Sequence, residues 1–130
     1  MSDLVILAHG GSWDMRFQVS SLAASAAAAG EEVEIALFFG ALDSWVAERW
    51  DALDPAPPVA AERLEALGMA PLSALLAPGR EAGRIRVYAC SASSRILGLE
   101  MARVQAAVDA VLGWQTLSRM TAAAGRVISF

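Results

Sequence analysis

The chain has one cysteine, Cys90, in surroundings that predict a reactive thiol. Cys90 ends a short apolar run and precedes a stretch of small residues, 91–94, that is typical of a helix start. The free N–H groups of a first helical turn stabilise a thiolate. Ser91 and Ser93 offer hydroxyl donors, and Arg95 adds positive charge if its side chain folds back. A thiolate in such a place is a nucleophile or a sulfur acceptor. The alternative is a small apolar core residue, because free cysteine is often buried.

Other candidate site residues follow the ends of other apolar runs. His9, Gly10 and Gly11 come directly after the first run, and Trp114 follows the fourth. Ligands of open parallel α/β sheets bind outside the carboxyl ends of the strands, so these residues are expected on one rim with Cys90. His9 is a candidate general acid or base, with a hydrogen-bonded structural histidine as the alternative. Trp114 is a candidate pocket wall, with core packing as the alternative.

Known phosphate-binding and metal-binding motifs are missing. Cys-dependent phosphatases need an arginine one position beyond Arg95, where this chain has Ile96. Neither Gly-x-Gly-x-x-Gly nor Gly-Lys-Ser/Thr occurs. One cysteine and one histidine, Cys90 and His9, cannot complete a structural zinc site. We therefore expect no metal and no cofactor.

Apolar runs and helix-forming segments alternate along the chain. Short apolar runs that end at glycine or polar residues predict strands buried on both faces. These runs lie at 3–8, 33–39, 84–89, 110–113 and 126–130, with helical segments between them at about 13–29, 60–67, 100–109 and 114–124. The alternation predicts an α/β fold, in which a parallel sheet has helices on both faces.

The segment 41–83 predicts a long crossover that contains several short helices. One helix is expected to be capped at 43–44 and to continue through Trp45 and Trp50. In one helix these two tryptophans would project about 140° apart, which makes one of them a candidate for a subunit interface. Pro and Gly at 78–83 predict a loop.

The composition indicates one globular domain over residues 1–130. The chain weighs 13.6 kDa, and its 56% hydrophobic against 18% charged residues exclude disorder. The formal net charge of −4 disfavours direct nucleic-acid binding. No apolar run is long enough for a membrane helix, and the N-terminal residues lack the positive region of a signal peptide. We expect a cytoplasmic protein that does not enter membranes.

The segment 87–98 resembles the cysteine segment of the DsrE/DsrF/TusD-like proteins, in which a strand ends in a cysteine before a small-residue helix and a glycine. The segments 111–117 and 126–130 resemble the C-terminal strand-helix-strand of that family, and the first strand with its glycine turn agrees as well. The resemblance covers most of the chain and is vaguest at 41–83.

The resemblance implies a three-layer α/β/α domain with a five-stranded parallel sheet, assembled into trimers or hexamers. It also implies a persulfide on Cys90, exchanged with sulfur-donor and sulfur-acceptor proteins of a relay. This chain has Arg95-Ile96 where the relay branch tends to have paired arginines. Our leading hypothesis is a sulfurtransferase-like sulfur carrier. The alternatives are a non-catalytic oligomeric binding or regulatory subunit, in which Cys90 is structural, and a thiol redox sensor.

Overall fold

The computed structural model describes residues 2–54 and 56–130. Strands and helices alternate along these residues, as the sequence predicts. The strands are β1 (Leu4–Ala8), β2 (Val33–Leu37), β3 (Ile85–Cys90), β4 (Ala110–Leu112) and β5 (Arg126–Ser129). The helices are α1 (Trp13–Ala28), α2 (Phe39–Val46), α3 (Ala60–Leu67), α4 (Leu72–Glu81), α5 (Ser91–Ile96), α6 (Met101–Ala107) and α7 (Trp114–Ala123).

The strands form one parallel sheet in the order β4-β3-β2-β1-β5. In register, Ile6 of β1 lies opposite Ile35 of β2 on one side and Ile128 of β5 on the other. Helices flank both faces, so the predicted three-layer α/β/α fold with a five-stranded parallel sheet is confirmed. The segment 41–83 carries most of α2 together with α3 and α4, and α3 has no buried residue.

The two faces of the sheet are covered very unequally. From β1 to β4 the chain moves across the sheet in one direction, and right-handed crossovers therefore place the connecting helices on one face. Only the return from β4 to β5 runs the other way, which places α7 on the second face. The core has the same division. Leu4, Ile6 and Ala8 of β1 pack in the large cluster that includes α1, α2, α4 and α6. Leu117 of α7 packs in a small separate cluster.

The start of α2 differs from the prediction of a cap at 43–44, because α2 begins at Phe39. The N–H of Phe38 donates to the carbonyl of Ala8 at 2.9 Å, and the N–H of Ala41 donates to the carbonyl of His9 at 3.1 Å. These bonds to the end of β1 turn the chain into a helix immediately after β2. At this early turn Phe39 adopts a φ of 38°, a left-handed conformation that is unusual for a bulky residue.

The predicted loop at 78–83 is also wrong, because α4 continues through Pro78 and Gly79 to Glu81. Gly79 is buried, and a Cβ at this position would overlap the side chain of Ile85. The glycine therefore lets α4 pack closely on the sheet and on Ala27 of α1. Tertiary packing retains a helix that proline and glycine disfavour locally.

Trp45 and Trp50 lie in the same core, contrary to the prediction that they diverge. Their rings meet edge to face at 5.1 Å. The prediction fails because α2 ends at Val46, so helical spacing does not apply to Trp50. Each indole N–H has an acceptor: Trp45 Nε1 donates to the carbonyl of Ala107 at 2.7 Å, and Trp50 Nε1 donates to Ser20 Oγ at 2.9 Å.

Arg16 is buried on α1, with 1% of its surface exposed, and it binds backbone carbonyls instead of a carboxylate. Its Nε donates to Gly11, one Nη donates to Arg49 and Trp50, and the other Nη donates to Asp54. Burial lowers the pKa of Arg16, and the charge of Arg49 adds to this effect. Arginine remains protonated because its ordinary pKa is very high. The side chain joins the turn after β1 to the segment after α2.

We predict that Arg16→Met lowers the free energy of unfolding by about 3 kcal/mol, because several buried carbonyls lose their donor. Arg16→Lys keeps the charge but lacks the guanidinium fork, so an intermediate loss is expected. Urea unfolding of the three proteins measures both values. A loss below about 0.5 kcal/mol for Arg16→Met would show that the hydrogen bonds of Arg16 contribute little to stability.

Glu48 follows the end of α2 with a φ of 59°, a left-handed conformation that favours glycine. We predict that Glu48→Gly raises the free energy of unfolding by about 0.5–1 kcal/mol. Gln18→Gly is the matched control, since Gln18 is exposed within α1, and it should lower stability by about the same amount. Equal losses in both variants would contradict the strain at Glu48.

Candidate functional site

The ends of four neighbouring strands bring His9, Phe38, Cys90 and Trp114 to one edge of the sheet, here called the carboxyl rim. The rings of His9 and Phe38 stack at 4.6 Å with an angle of 17° between their planes. The rings of Phe38 and Trp114 stack at 5.2 Å and 26°. The stack thus extends from the end of β1 to the end of β4 and crosses the position of β3. His9 is exposed, Trp114 is 50% exposed and Phe38 is buried.

Cys90 lies below this stack in the small cluster on the second face. It is 1% exposed and packs with Ala36, Phe38 and Leu117. Around them are three partly buried apolar side chains, Leu7, Leu112 and Met120. Cys90 is the N-cap of α5, but its side chain makes no capping hydrogen bond. In this conformation the thiol has apolar surroundings and no contact with solvent.

Several polar residues follow Cys90 in the sequence. In the described part of the chain, none of them makes a hydrogen bond to its Sγ. Ser91 is half-buried and lies close to Gly113. Ser93 is buried, and its Oγ has no hydrogen-bond partner among the described residues. Arg95 is exposed in the last turn of α5, with no ion pair in the same part of the chain.

The glycine turn after β1 packs against the turn after β2. A Cβ on Gly11 would lie 2.8 Å from the carbonyl oxygen of Gly40, and a Cβ on Gly40 would lie 2.9 Å from the nitrogen of Gly11. Glycine is therefore needed at both positions for backbone contact. Gly10 packs on the side chain of Met15. The N–H groups of His9 and Gly10 donate to the carbonyl of Phe130 at 2.8 and 3.4 Å, which occupies N–H groups that could otherwise hold an anion.

Sequence reasoning missed two residues that define the site, Phe38 and Leu117. Phe38 was missed because the sequence predicts a strand over 33–39, whereas β2 ends at Leu37 and leaves Phe38 on the rim. Leu117 lies three residues after Trp114 and three before Met120, a spacing that marks the inner stripe of an amphipathic helix. No sequence signal indicated the buried Arg16.

A cavity of about 480 Å³ lies near the amino end of the sheet, away from the carboxyl rim. Its lining is polar and includes Glu32, Glu34, Arg86 and Tyr88. Partial burial raises the pKa of Tyr88, and the negative charge of Glu34 raises it further. This cavity shares no lining residue with the predicted site.

Neither a cluster of metal ligands nor a membrane-spanning helix is found among the described residues. Across 2–54 and 56–130, no three His, Cys, Asp or Glu side chains come together as a metal site requires. In the same residues, the helices are too short or too polar to cross a membrane.

No protein-family model matches the chain, and no curated protein is similar to it at a significant level.

We predict that Tyr88, the chain's only tyrosine, ionises above its ordinary pKa of about 10. Because the folded pKa is raised, the stability due to neutral Tyr88 is complete below pH ~10 and is lost as pH rises through the folded pKa. A phenolate absorbance titration measures this pKa. Tyr88→Phe is the control, which should abolish the signal and reduce the alkaline loss of stability. A midpoint at or below the ordinary value would contradict the prediction.

Proposed function

We propose that the protein is a DsrE-like sulfur carrier that accepts and passes sulfane sulfur as a persulfide on Cys90. The observation that carries the proposal is the position of Cys90 at the carboxyl end of β3, immediately before α5. It shares this rim with His9 and Trp114, where ligands of parallel α/β sheets bind. The parallel five-stranded fold agrees with the resemblance in 87–98.

The proposed transfer is a thiol–persulfide exchange without net oxidation. The thiolate of Cys90 attacks the outer sulfur of a donor persulfide, R–S–SH. A bond forms between Sγ and that sulfur, and the S–S bond of the donor breaks. The donor leaves as a thiolate that takes up the proton lost by Cys90, so the products are Cys90–S–SH and R–SH. Passing the sulfur to an acceptor thiol repeats the same step.

The remaining rim residues have supporting roles in the proposal. Ser91, Ser93 and Arg95 stabilise the thiolate once Sγ is exposed, as do the free N–H groups of the first turn of α5. The exposed imidazole of His9 supplies or takes the proton. Trp114 covers the approach to Cys90 through its stack on Phe38.

We propose donor and acceptor proteins in the cytoplasm as partners, and a homo-oligomer, a trimer or a hexamer, as the assembled form. The support is a group of exposed apolar side chains in the segments that follow β1 to β4. They are Met15, Phe39, Ile96, Leu97 and Trp114, which are 37–71% exposed. Aromatic residues and methionine are enriched at protein–protein interfaces. Light scattering measures the assembly.

The test of the carrier function is the intact mass after incubation with a low-molecular-weight persulfide. We predict that the wild type gains one sulfur atom, that a reductant removes it, and that Cys90→Ser gains none. Sulfur on Cys90→Ser, or none on the wild type after incubation long enough for Cys90 to react with a thiol reagent, would refute the carrier function.

A second candidate function is a binding or regulatory subunit in which Cys90 is structural. The apolar packing of Cys90 under Phe38 and Leu117 favours it, since inert cysteines have such surroundings. In that case Cys90→Ala keeps the protein's function and lowers only its stability. A thiol redox sensor would instead form a sulfenic acid on Cys90 under mild peroxide, which a sulfenic-acid probe detects.

A further inference from the structure

One helix, α7, separates Cys90 from solvent on the second face of the sheet. Leu117 is fully buried and packs in the same small cluster as Cys90. Met120, one turn later, is partly buried against that cluster. The other cover on this side comes from Phe38, on which Trp114 of α7 stacks, and from Leu7 and Leu112 of the neighbouring strands. Displacing α7 would therefore remove most of what covers the thiol.

The attachment of α7 is weak compared with that of α1, the longest helix on the other face. Leu117 is its one fully buried residue, whereas α1 buries six. Within the described residues, no side-chain hydrogen bond or ion pair joins α7 to the rest of the protein. The one side-chain bond of this helix is internal, from Thr121 to Ser118. An element with so few buried contacts opens at a lower free energy than the whole fold.

Gly113 adjoins the start of α7, and Gly125 lies two residues beyond its end. Gly113 precedes the helix with an ordinary φ of −87°, and a Cβ there would meet only Ser91 Oγ, at 3.6 Å. Gly125 follows α7, and its N–H donates to the carbonyl of Ser2. The strands on either side, β4 and β5, pair with β3 and β1, so their pairing does not involve α7.

We propose that α7 is a hinged cover that opens locally, without unfolding of the sheet, and alternately exposes and encloses Cys90. In the closed form, Leu117 excludes water and reagents from Sγ. In the open form, Sγ is accessible at the carboxyl rim beside α5. The cover does not depend on the sulfur-carrier function, although it would protect a persulfide on Cys90 from reductants between transfers.

The experiment measures the rate at which a thiol reagent labels Cys90 in the intact protein under native conditions. It is compared with the rate expected from global unfolding alone, which urea unfolding provides. We expect faster labelling than global unfolding allows, together with faster amide hydrogen exchange in 114–123 than in α1. Labelling that occurs only through global unfolding would contradict the proposal that α7 opens locally. So would labelling as fast as in the unfolded chain, because the closed form would then give no protection.

Two variants alter the cover in opposite directions. Leu117→Ala removes its one buried anchor and should speed native-state labelling about 30-fold or more, where 30-fold is the lower end of the effect of buried-leucine truncations. Gly113→Ser places a preferred N-cap side chain at the start of α7 without a clash and should slow labelling about threefold. An unchanged rate in Leu117→Ala would overturn the proposal.

Leu76→Ala is the matched control. Leu76 is 1% exposed in α4, on the opposite face, so its truncation lowers global stability without loosening α7. Local opening predicts that labelling in Leu76→Ala stays near the wild-type rate. An increase in Leu76→Ala equal to that in Leu117→Ala would assign labelling to global unfolding. The persulfide assay tests the carrier function separately. If Cys90 is labelled through local opening but takes up no sulfur, only the carrier function is refuted.

Discussion

The right-handedness of connections between parallel strands is the constraint on which this structure depends most. A strand feeds a crossover that packs back onto the sheet in only one sense, so the direction of travel decides which face each helix covers. From β1 to β4 the chain advances across the sheet in one direction, and it returns only once, to place β5 beside β1. The first face therefore has a thick helical layer with the main core, and the second face has α7.

This asymmetry decides the surroundings of Cys90. Side chains alternate between faces along a strand, so Val87 and Ala89 point into the main core while Cys90 joins the small cluster. The cysteine thus combines a position at the carboxyl rim with the face of the sheet that has the smaller helical layer. Under the proposed opening of α7, the rate at which Cys90 reacts depends on how often that helix opens. The charge of nearby side chains then matters only in the open form.

The turn after β1 is held rigidly, in contrast to α7. Arg16 binds the carbonyl of Gly11 and those of the segment after α2, and Gly11 contacts Gly40 backbone to backbone. His9 is stacked on Phe38 at the start of this turn. One end of the rim is therefore fixed by a buried guanidinium and close backbone contacts, while the other end, at Trp114, belongs to a lightly attached helix.

The sequence alone determined the strands, the parallel α/β class and the position of Cys90 at a strand end, because alternating apolar runs and glycine stops are local signals. It also predicted that His9, Trp114 and Cys90 share a rim, since parallel strands end at one edge. Only the tertiary structure decided the start of α2, the helix through Pro78 and Gly79, the partners of Arg16 and the burial of Cys90. Each of these depends on contacts between residues distant in sequence, and such contacts override the local preferences that sequence patterns report.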